Sequence, residues 1–354
     1  IAWQYAALTD IGLVRSRNED SGYSGPHLLA VADGMGGHAG GNVASSLVIG
    51  RLAQLDGDSH GCDDALELLA DTVAEANSAI SNAVTADDEL RGMGTTLTGL
   101  MRCGNANLVL VHIGDSRAYM LRDGNFSQIT TDHSFVQSLV DSGRITAEEA
   151  ATHPRRNVLM RVLGDIDSSP EIDTTLIHTK PGDVWLLCSD GLSSYVSEDR
   201  IRASLAAHKN PRDAANKLIK DALDHGAPDN VTVVVVTIGE DSLSGVLPPQ
   251  IVGSAALPLT YEAELARRAL RLPTLLLHPL KSAQVEDSHF EPESEEYLDE
   301  HGSFLGDADF RWCPEGLLKL RVRSVPTIGR ALHAVERNLH KLGCAWHAHF
   351  QCSG

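Results

Sequence analysis

The chain has 354 residues, enough for one large domain or two ordinary ones, and it is 42% hydrophobic and 22% charged, as a globular protein is. A formal net charge of −19 argues against nucleic acid and anionic lipid as partners. No stretch reaches the ~18 apolar residues of a membrane span. The six scattered cysteines form no C-x-x-C pair and read as reduced thiols, which places the chain in the cytoplasm, with a membrane tether only through a segment outside it.

Residues 1–240 alternate strand-like and helix-like segments, starting with a strand at 3–10 and the charged stretch "LVRSRNED". A strand at 27–32 ends at Asp33 and runs into "GMGGHAGG", where five glycines fall within residues 34–41. Helices are predicted at 42–55 and 63–85, the second carrying Leu66, Leu69, Ala70, Val73, Ala76 and Ile80 at helical spacing. Asp63 and Asp64 stand where its N-cap and first turn favour anions. Strands at 95–102, 106–113 and 116–122 follow one another by short links, which predicts antiparallel pairing. A helix at 133–142, a strand at 184–189, helices at 198–207 and 211–224 and a strand at 231–238 complete a layered α+β sandwich. Beyond 240, "SGVLPPQIVGS" reads as a linker. Residues 285–310 hold ten acids in twenty-six residues and are expected to be disordered, and 328–342 to form a short helix closed by Gly343.

Residues 34–39, Gly-Met-Gly-Gly-His-Ala, match G-x-G-x-x-A after a strand, the form of a dinucleotide loop. Asp33 would aim a carboxylate at the pyrophosphate, no second strand presents an acid to a ribose, and no G-K-[ST] follows. A second pattern explains more. Asp33, Asp115 and Asp190 each follow an apolar strand, and Asp229 precedes one. In an antiparallel sheet such ends and starts share an edge, so four carboxylates gather at one mouth. Their mutual repulsion calls for hard divalent cations, Mg²⁺ or Mn²⁺, and Gly34 leaves its carbonyl free to approach an ion. Asp-Gly is a common turn dipeptide, which explains any one of these sites but not all four. Arg15 and Arg17, upstream of Glu19, offer planar forks for phosphate oxygens.

Together "VRSRNED", "VADGMGGHAGG", "GMGTTLTGL", "GDSRAYMLRDG", "TTDHSFV", "HPRRNVLMRVLG", "LLCSDGLSSYV" and "APDNVTVVVV" resemble the metal-dependent protein Ser/Thr phosphatases of the PPM, or protein phosphatase 2C, type, most closely the actinobacterial members. The resemblance covers nearly all of residues 1–240. It implies a four-layer αββα sandwich of two mainly antiparallel sheets, and hydrolysis of phosphoserine and phosphothreonine by water activated between two metal ions. Asp33 would bridge the two ions, with the Gly34 carbonyl on one and Asp190 and Asp229 on the other. Asp115 with Asp190 would hold a third, so two to three Mn²⁺ or Mg²⁺ ions are expected.

Arg15 matches the phosphate-binding arginine, and Glu19 and Asp20 would hydrogen-bond metal-bound water. Residues 143–165 correspond to a flap beside the site. Met35 stands where eukaryotic relatives often carry a histidine, which leaves a metal-bound water as the expected proton donor and His38 behind it. Cys188 is expected to be a buried thiol without catalytic duty. Implied partners are phosphorylated proteins, substrates of bacterial Ser/Thr kinases. The alternative is a non-catalytic phosphatase-like module that binds phosphoproteins; such modules typically lose metal acids, and here all are present.

The 1–240 phosphatase domain is expected to work without the 241–354 tail. That tail holds Cys344, His347, His349 and Cys352 at a spacing tighter than zinc fingers use.

Overall fold

The computed structural model describes residues 2–36, 40–57, 60–164, 170–240 and 247–256, and two strands at 308–312 and 318–322. In chain order the strands are β1 (Ala2–Asp10), β2 (Ser21–Ser24), β3 (Leu28–Ala32), β4 (Gly34–Met35), β5 (Gly94–Thr95), β6 (Leu97–Cys103) and β7 (Asn107–Ile113). They continue as β8 (Arg117–Arg122), β9 (Asn125–Gln128), β10 (Asp173–His178), β11 (Val184–Cys188), β12 (Val231–Gly239) and β13 (Gln250–Gly253). The helices are α1 (Gly41–Leu52), α2 (Cys62–Ala86), α3 (Phe135–Asp141), α4 (Ala147–Ala151), α5 (Asp190–Ser193), α6 (Glu198–Ala207) and α7 (Pro211–Asp224).

β12 reads VTVVVVTIG, and its β-branched residues suit a strand buried on both faces. Alternate side chains point to opposite faces. Val231, Val233 and Val235 pack with Leu205, Leu218 and Ala222 of α6 and α7. Val234, Val236 and Ile238 pack with Leu29, Val31, Leu100 and Leu110 of the other sheet. Each such buried aliphatic side chain contributes roughly 1.5–3 kcal/mol, so one strand ties the helices to the space between the sheets.

The first sheet runs β1-β12-β11-β8-β9 and the second β10-β7-β6-β3-β2-β13, with antiparallel neighbours throughout. α1 and α2 pack on the second sheet through Val48, Ile49, Leu69 and Val73, which gives four layers. The β8–β9 hairpin turns on Asp123 (φ 51°) and Gly124 (φ 82°), the two successive left-handed residues that a tight hairpin requires. α7 starts where Asn210 accepts from the Arg212 N–H and Pro211 takes the first turn.

Four departures from expectation have physical reasons. β2, β9, β10 and β13 are edge or near-edge strands of four to six residues, too short or too polar to carry a clear apolar alternation. The expected linker contains β13, which pairs with β2 (Ile251 opposite Tyr23), so the unit passes the boundary expected at 240 and runs to Pro258. The N-cap of α2 is Gly61, with Asp63 and Asp64 both inside the first turn.

The reading of reduced thiols also needs correction. Cys62 at the start of α2 is disulfide-bonded to Cys103 at the end of β6, their Cα atoms 4.9 Å apart. They stand 41 positions apart, and pairing at that range is invisible to spacing. Cys188 is buried and free, its thiol pushed up to about 12 by burial.

The second unit, Leu259–Gly354, contains an antiparallel hairpin of β14 (Ala308–Trp312) and β15 (Leu318–Val322). β14 overlaps the end of the stretch expected to be disordered. The rest of that stretch, the expected helix at 328–342 and the Cys344–Cys352 cluster lie outside the described residues. Among the described residues no helix is long and apolar enough to cross a membrane.

Candidate metal and phosphate site

Strand order explains why the acids meet. β11 lies between β8 and β12 and is antiparallel to both, with Cys188 opposite Arg117 on one side and Val233 on the other. The end of β11, which leads into Asp190, therefore lies beside the starts of β8 and β12, which follow Asp115 and Asp229. Asp33 arrives from the other sheet, at the end of β3. Two buried threonines hold it there. Its N–H donates to Thr96 Oγ1 at 2.9 Å, and its carbonyl accepts from the Thr96 N–H and the Thr95 hydroxyl, each at 2.9 Å.

Gly34 has no alternative, since a Cβ there would lie 2.1 Å from the Gly41 carbonyl oxygen and 2.4 Å from that of Glu19. Gly114, at φ +107° and pressed on Thr96, turns the chain into Asp115.

The charges act on one another as a converging cluster should. Burial holds the Asp33 carboxyl well above the usual carboxylate range, and the charges of Asp20, Asp190, Asp115 and Asp229 push it further. Burial and Asp229 raise Asp190 to about 6, opposed by a hydrogen bond with Asp33 that favours its charged form. Burial and Asp190 raise Asp115 to about 8, against the pull of Arg117. Glu19 is raised by burial, although Arg15 and Arg17 pull it down.

Arg15 Nη2 donates to Asp229 Oδ2 at 2.7 Å, with about half of the arginine side chain exposed. The arginine loop is shaped by Asn230, whose Nδ2 donates to the carbonyls of Ile11 and Arg17, each at 2.9 Å, while its Oδ1 accepts from the Glu19 N–H at 2.8 Å. A Cβ on Gly41 would lie 2.8 Å from both Glu19 Oε2 and the Gly34 carbonyl oxygen, so both oxygens border the small space beside Gly41. Asp20 sits behind the rim. It is 1% exposed and accepts from the Ser189 hydroxyl at 2.7 Å, so its carboxylate holds the residue before Asp190. Burial raises it to about 7.

The structure thus brings Arg15, Glu19, Asp33, Gly34, Asp115, Asp190 and Asp229 to one mouth, with Asp20 buried beneath it. His38 lies outside the described residues. As the side chains stand, no three His, Cys, Asp or Glu among the described residues are arranged to hold a metal ion. Asp33 lies within hydrogen-bond reach of Asp190, and Asp229 is paired with Arg15. The donor set is all oxygen, its charges mutually repulsive, and it suits hard divalent cations.

Sequence reasoning did not single out Thr96, Ser189, Asn230 or His133. His133 accepts from the Gly114 N–H at Nδ1 (3.1 Å), its own N–H donates to the Gly114 carbonyl (2.7 Å), and its Nε2 lies 3.0 Å from Asp173 Oδ2. It thereby braces the turn that carries Asp115. Each of these residues stands inside or next to a quoted motif, and that was the available signal.

The family described as Protein phosphatase 2C matches residues 6–231. The chain is 53% identical over 235 residues to the serine/threonine protein phosphatase PstP of Mycobacterium tuberculosis, a match covering 66% of this chain and 45% of that protein. It is 36% identical over 236 residues to the serine/threonine phosphatase stp of Listeria monocytogenes, covering 64% and 93%. The crystal structure of Mycobacterium tuberculosis PstP/Ppp superposes with a TM-score of 0.65 at 52% identity, over 68% of this chain and 100% of that one. A PstP catalytic domain in complex with two manganese ions gives a TM-score of 0.62 at 50% identity, over 68% and 99%. The chain therefore spans less than half the length of its mycobacterial relative. By its strand order, its acids and these matches, the chain belongs to the protein phosphatase 2C family.

Proposed function

We propose that this chain hydrolyses phosphoserine and phosphothreonine in proteins, using two to three Mn²⁺ or Mg²⁺ ions held by Asp33, the Gly34 carbonyl, Asp190, Asp229 and Asp115. The observation that carries the reading is the convergence of these acids beside Arg15, with Asp33 raised by burial and by the charges of Asp20, Asp190, Asp115 and Asp229. Bound there, divalent cations would polarise phosphoryl oxygens and make water nucleophilic at neutral pH.

The chain's own groups do the rest. Arg15 presents a planar guanidinium to the phosphate oxygens and stabilises the charge that builds on the transferring group. Glu19 reaches in beside the Gly34 carbonyl and orients water. Asp20 fixes Ser189, and with it Asp190. Met35 has no ionisable proton to give, which supports water in the site as the acid for the leaving alcohol.

The substrates this reading implies are phosphoproteins made by bacterial Ser/Thr kinases. Kinases work where ATP is, which supports a cytoplasmic location, whereas the Cys62–Cys103 bond weighs against a reducing compartment. The test is hydrolysis of an aryl phosphate and of a phosphothreonine peptide by the full chain, with Mn²⁺, with Mg²⁺ and with excess chelator. Turnover on both substrates that chelation abolishes is expected. Turnover that survives chelation, or none with either metal, sinks the reading.

A further inference from the structure

The segment 247–256 lies beyond the family match, which ends at residue 231. It nonetheless touches the acid loop directly. The Ser254 N–H donates to the Asp20 carbonyl at 2.8 Å, the Ser254 hydroxyl to the Asn18 carbonyl at 2.6 Å, and the Ala255 N–H to Ser21 Oγ at 3.0 Å. Ser21 Oγ lies 2.9 Å from Ser45 Oγ, which in turn donates to the Glu19 carbonyl at 2.5 Å. Every backbone carbonyl from Asn18 to Asp20 is thus held, two of them by Ser254 alone.

Gly253 makes the approach possible. At φ +74°, a Cβ on it would lie 2.1 Å from the Asp20 carbonyl oxygen. The segment is itself anchored twice on β1, by the Tyr5 hydroxyl donating to the Leu247 carbonyl at 2.5 Å and the Ala7 N–H donating to Gln250 Oε1 at 3.0 Å. Its strand pairs residue for residue with β2, from Gln250 opposite Ser24 to Gly253 opposite Ser21.

We infer that Gly253 and Ser254 are positioning residues for the metal site, and that the turn they form at the end of β13 is a working part of the catalytic unit. The inference rests on the metal-dependent reading above and deepens it. The path is short. Ser254 and Gly253 set the Asp20 carbonyl, the Asp20 carboxylate accepts from Ser189 at 2.7 Å, and Ser189 immediately precedes Asp190. The same contacts set the carbonyl of Asn18, next to Glu19. Neither residue touches the expected ions; each holds a residue that orients a ligand. Losing such outer support typically costs about 10- to 100-fold in metal affinity.

The test uses the full chain carrying Gly253→Ala, Ser254→Pro, Ser254→Ala, Ser254→Thr or Ile251→Ala. Free Mn²⁺ is counted by electron paramagnetic resonance during titration, beside Tm, kcat and KM for an aryl phosphate. Gly253→Ala, which clashes with the Asp20 carbonyl, and Ser254→Pro, which removes the N–H, should weaken Mn²⁺ binding about 10-fold or more and lower kcat at limiting Mn²⁺. Ser254→Thr keeps both donors and should bind as wild type. Ile251→Ala alters an exposed side chain on the same strand and should also bind as wild type.

Wild-type Mn²⁺ affinity in folded Gly253→Ala and Ser254→Pro overturns the inference. Should both unfold, Ser254→Ala decides, since it keeps the N–H and loses only the hydroxyl. Weakened Mn²⁺ binding in its folded form supports the inference and unchanged binding overturns it. A wild-type chain that binds Mn²⁺ but hydrolyses nothing defeats the phosphatase reading alone, because the Mn²⁺ titrations of the variants still stand.

Discussion

Arg15 and Asp229 form an ion pair at 2.7 Å across the rim of the site, joining a loop near the start of the chain to the residue that leads into β12. About half of the Arg15 side chain is exposed, so the pair itself adds little to stability, about 0–1 kcal/mol for exposed pairs. Its value lies in where it places the guanidinium. Arg15→Ala should leave Tm nearly unchanged and raise KM for an aryl phosphate about tenfold, the loss expected for a hydrogen bond to a charged group. Arg15→Lys should recover only part of this, because an ammonium cannot engage two oxygens side by side. Steady-state kinetics on both variants checks it, and an unchanged KM in Arg15→Ala removes the arginine's role.

Asp33 is held by Thr95 and Thr96 in a place where burial and four like charges oppose its ionisation. Such a group costs stability until cations arrive, so function and stability should part company here. Asp33→Asn should raise Tm in chelator, since the amide needs neither to ionise against burial and its neighbours nor to take up a proton on folding. It should also lower kcat about 1,000-fold with Mn²⁺ present, the equivalent of several kcal/mol of lost metal-dependent stabilisation. Calorimetry in chelator and turnover in Mn²⁺ test the two halves separately. Full activity in Asp33→Asn would defeat the site assignment.

The raised carboxyls also set a pH dependence. An acid whose folded pKa exceeds its unfolded value near 4 binds its proton more tightly when folded, so the folded state loses stability as pH rises through the folded pKa. Asp20 at about 7 and Asp115 at about 8 act across neutrality. His112, pushed down to about 4 by burial, and His133, also lowered by burial, act with the opposite sign but only below their unfolded value near 6.5. Between pH 6.5 and 8.5 the acids act without that opposition. Tm in chelator should fall across this window. Saturating Mn²⁺ should flatten the fall, and metal binding at pH 7 should release protons. Thermal scans at constant ionic strength with and without Mn²⁺ check the first two, and calorimetry in buffers of different ionisation enthalpy the third.

How much of the site was legible follows from the range of the interactions. Asp33, Asp190 and Asp229 could be read because each interrupts or introduces an apolar run, and antiparallel pairing brings such positions to one edge. The central strands were legible for the same reason, β12 above all. The supports were not. Asn230 organises the arginine loop by bonds to backbone more than 200 residues away, and Ser189 meets Asp20 across 169 positions. Neither leaves a periodic trace. β13 was hidden because four residues beside a Pro/Gly stretch look like a connection, and only its pairing with β2 makes it a strand.

The Cys62–Cys103 bond closes a loop that contains all of α2. A loop of 41 residues corresponds to about 4 kcal/mol of stabilisation if the bond acts by restricting the unfolded chain. It joins α2 to the far end of β6, whereas the acids cluster where β6 begins, beside Thr96. Reduction, or the double change Cys62→Ser with Cys103→Ser, should therefore lower Tm and the urea midpoint while leaving kcat and Mn²⁺ affinity at 25 °C unchanged. Denaturation of oxidised and reduced protein, paired with turnover below the transition, measures both. A loss of turnover in folded, reduced protein would mean that the bond reaches the site, and equal midpoints would mean that it does not stabilise the fold.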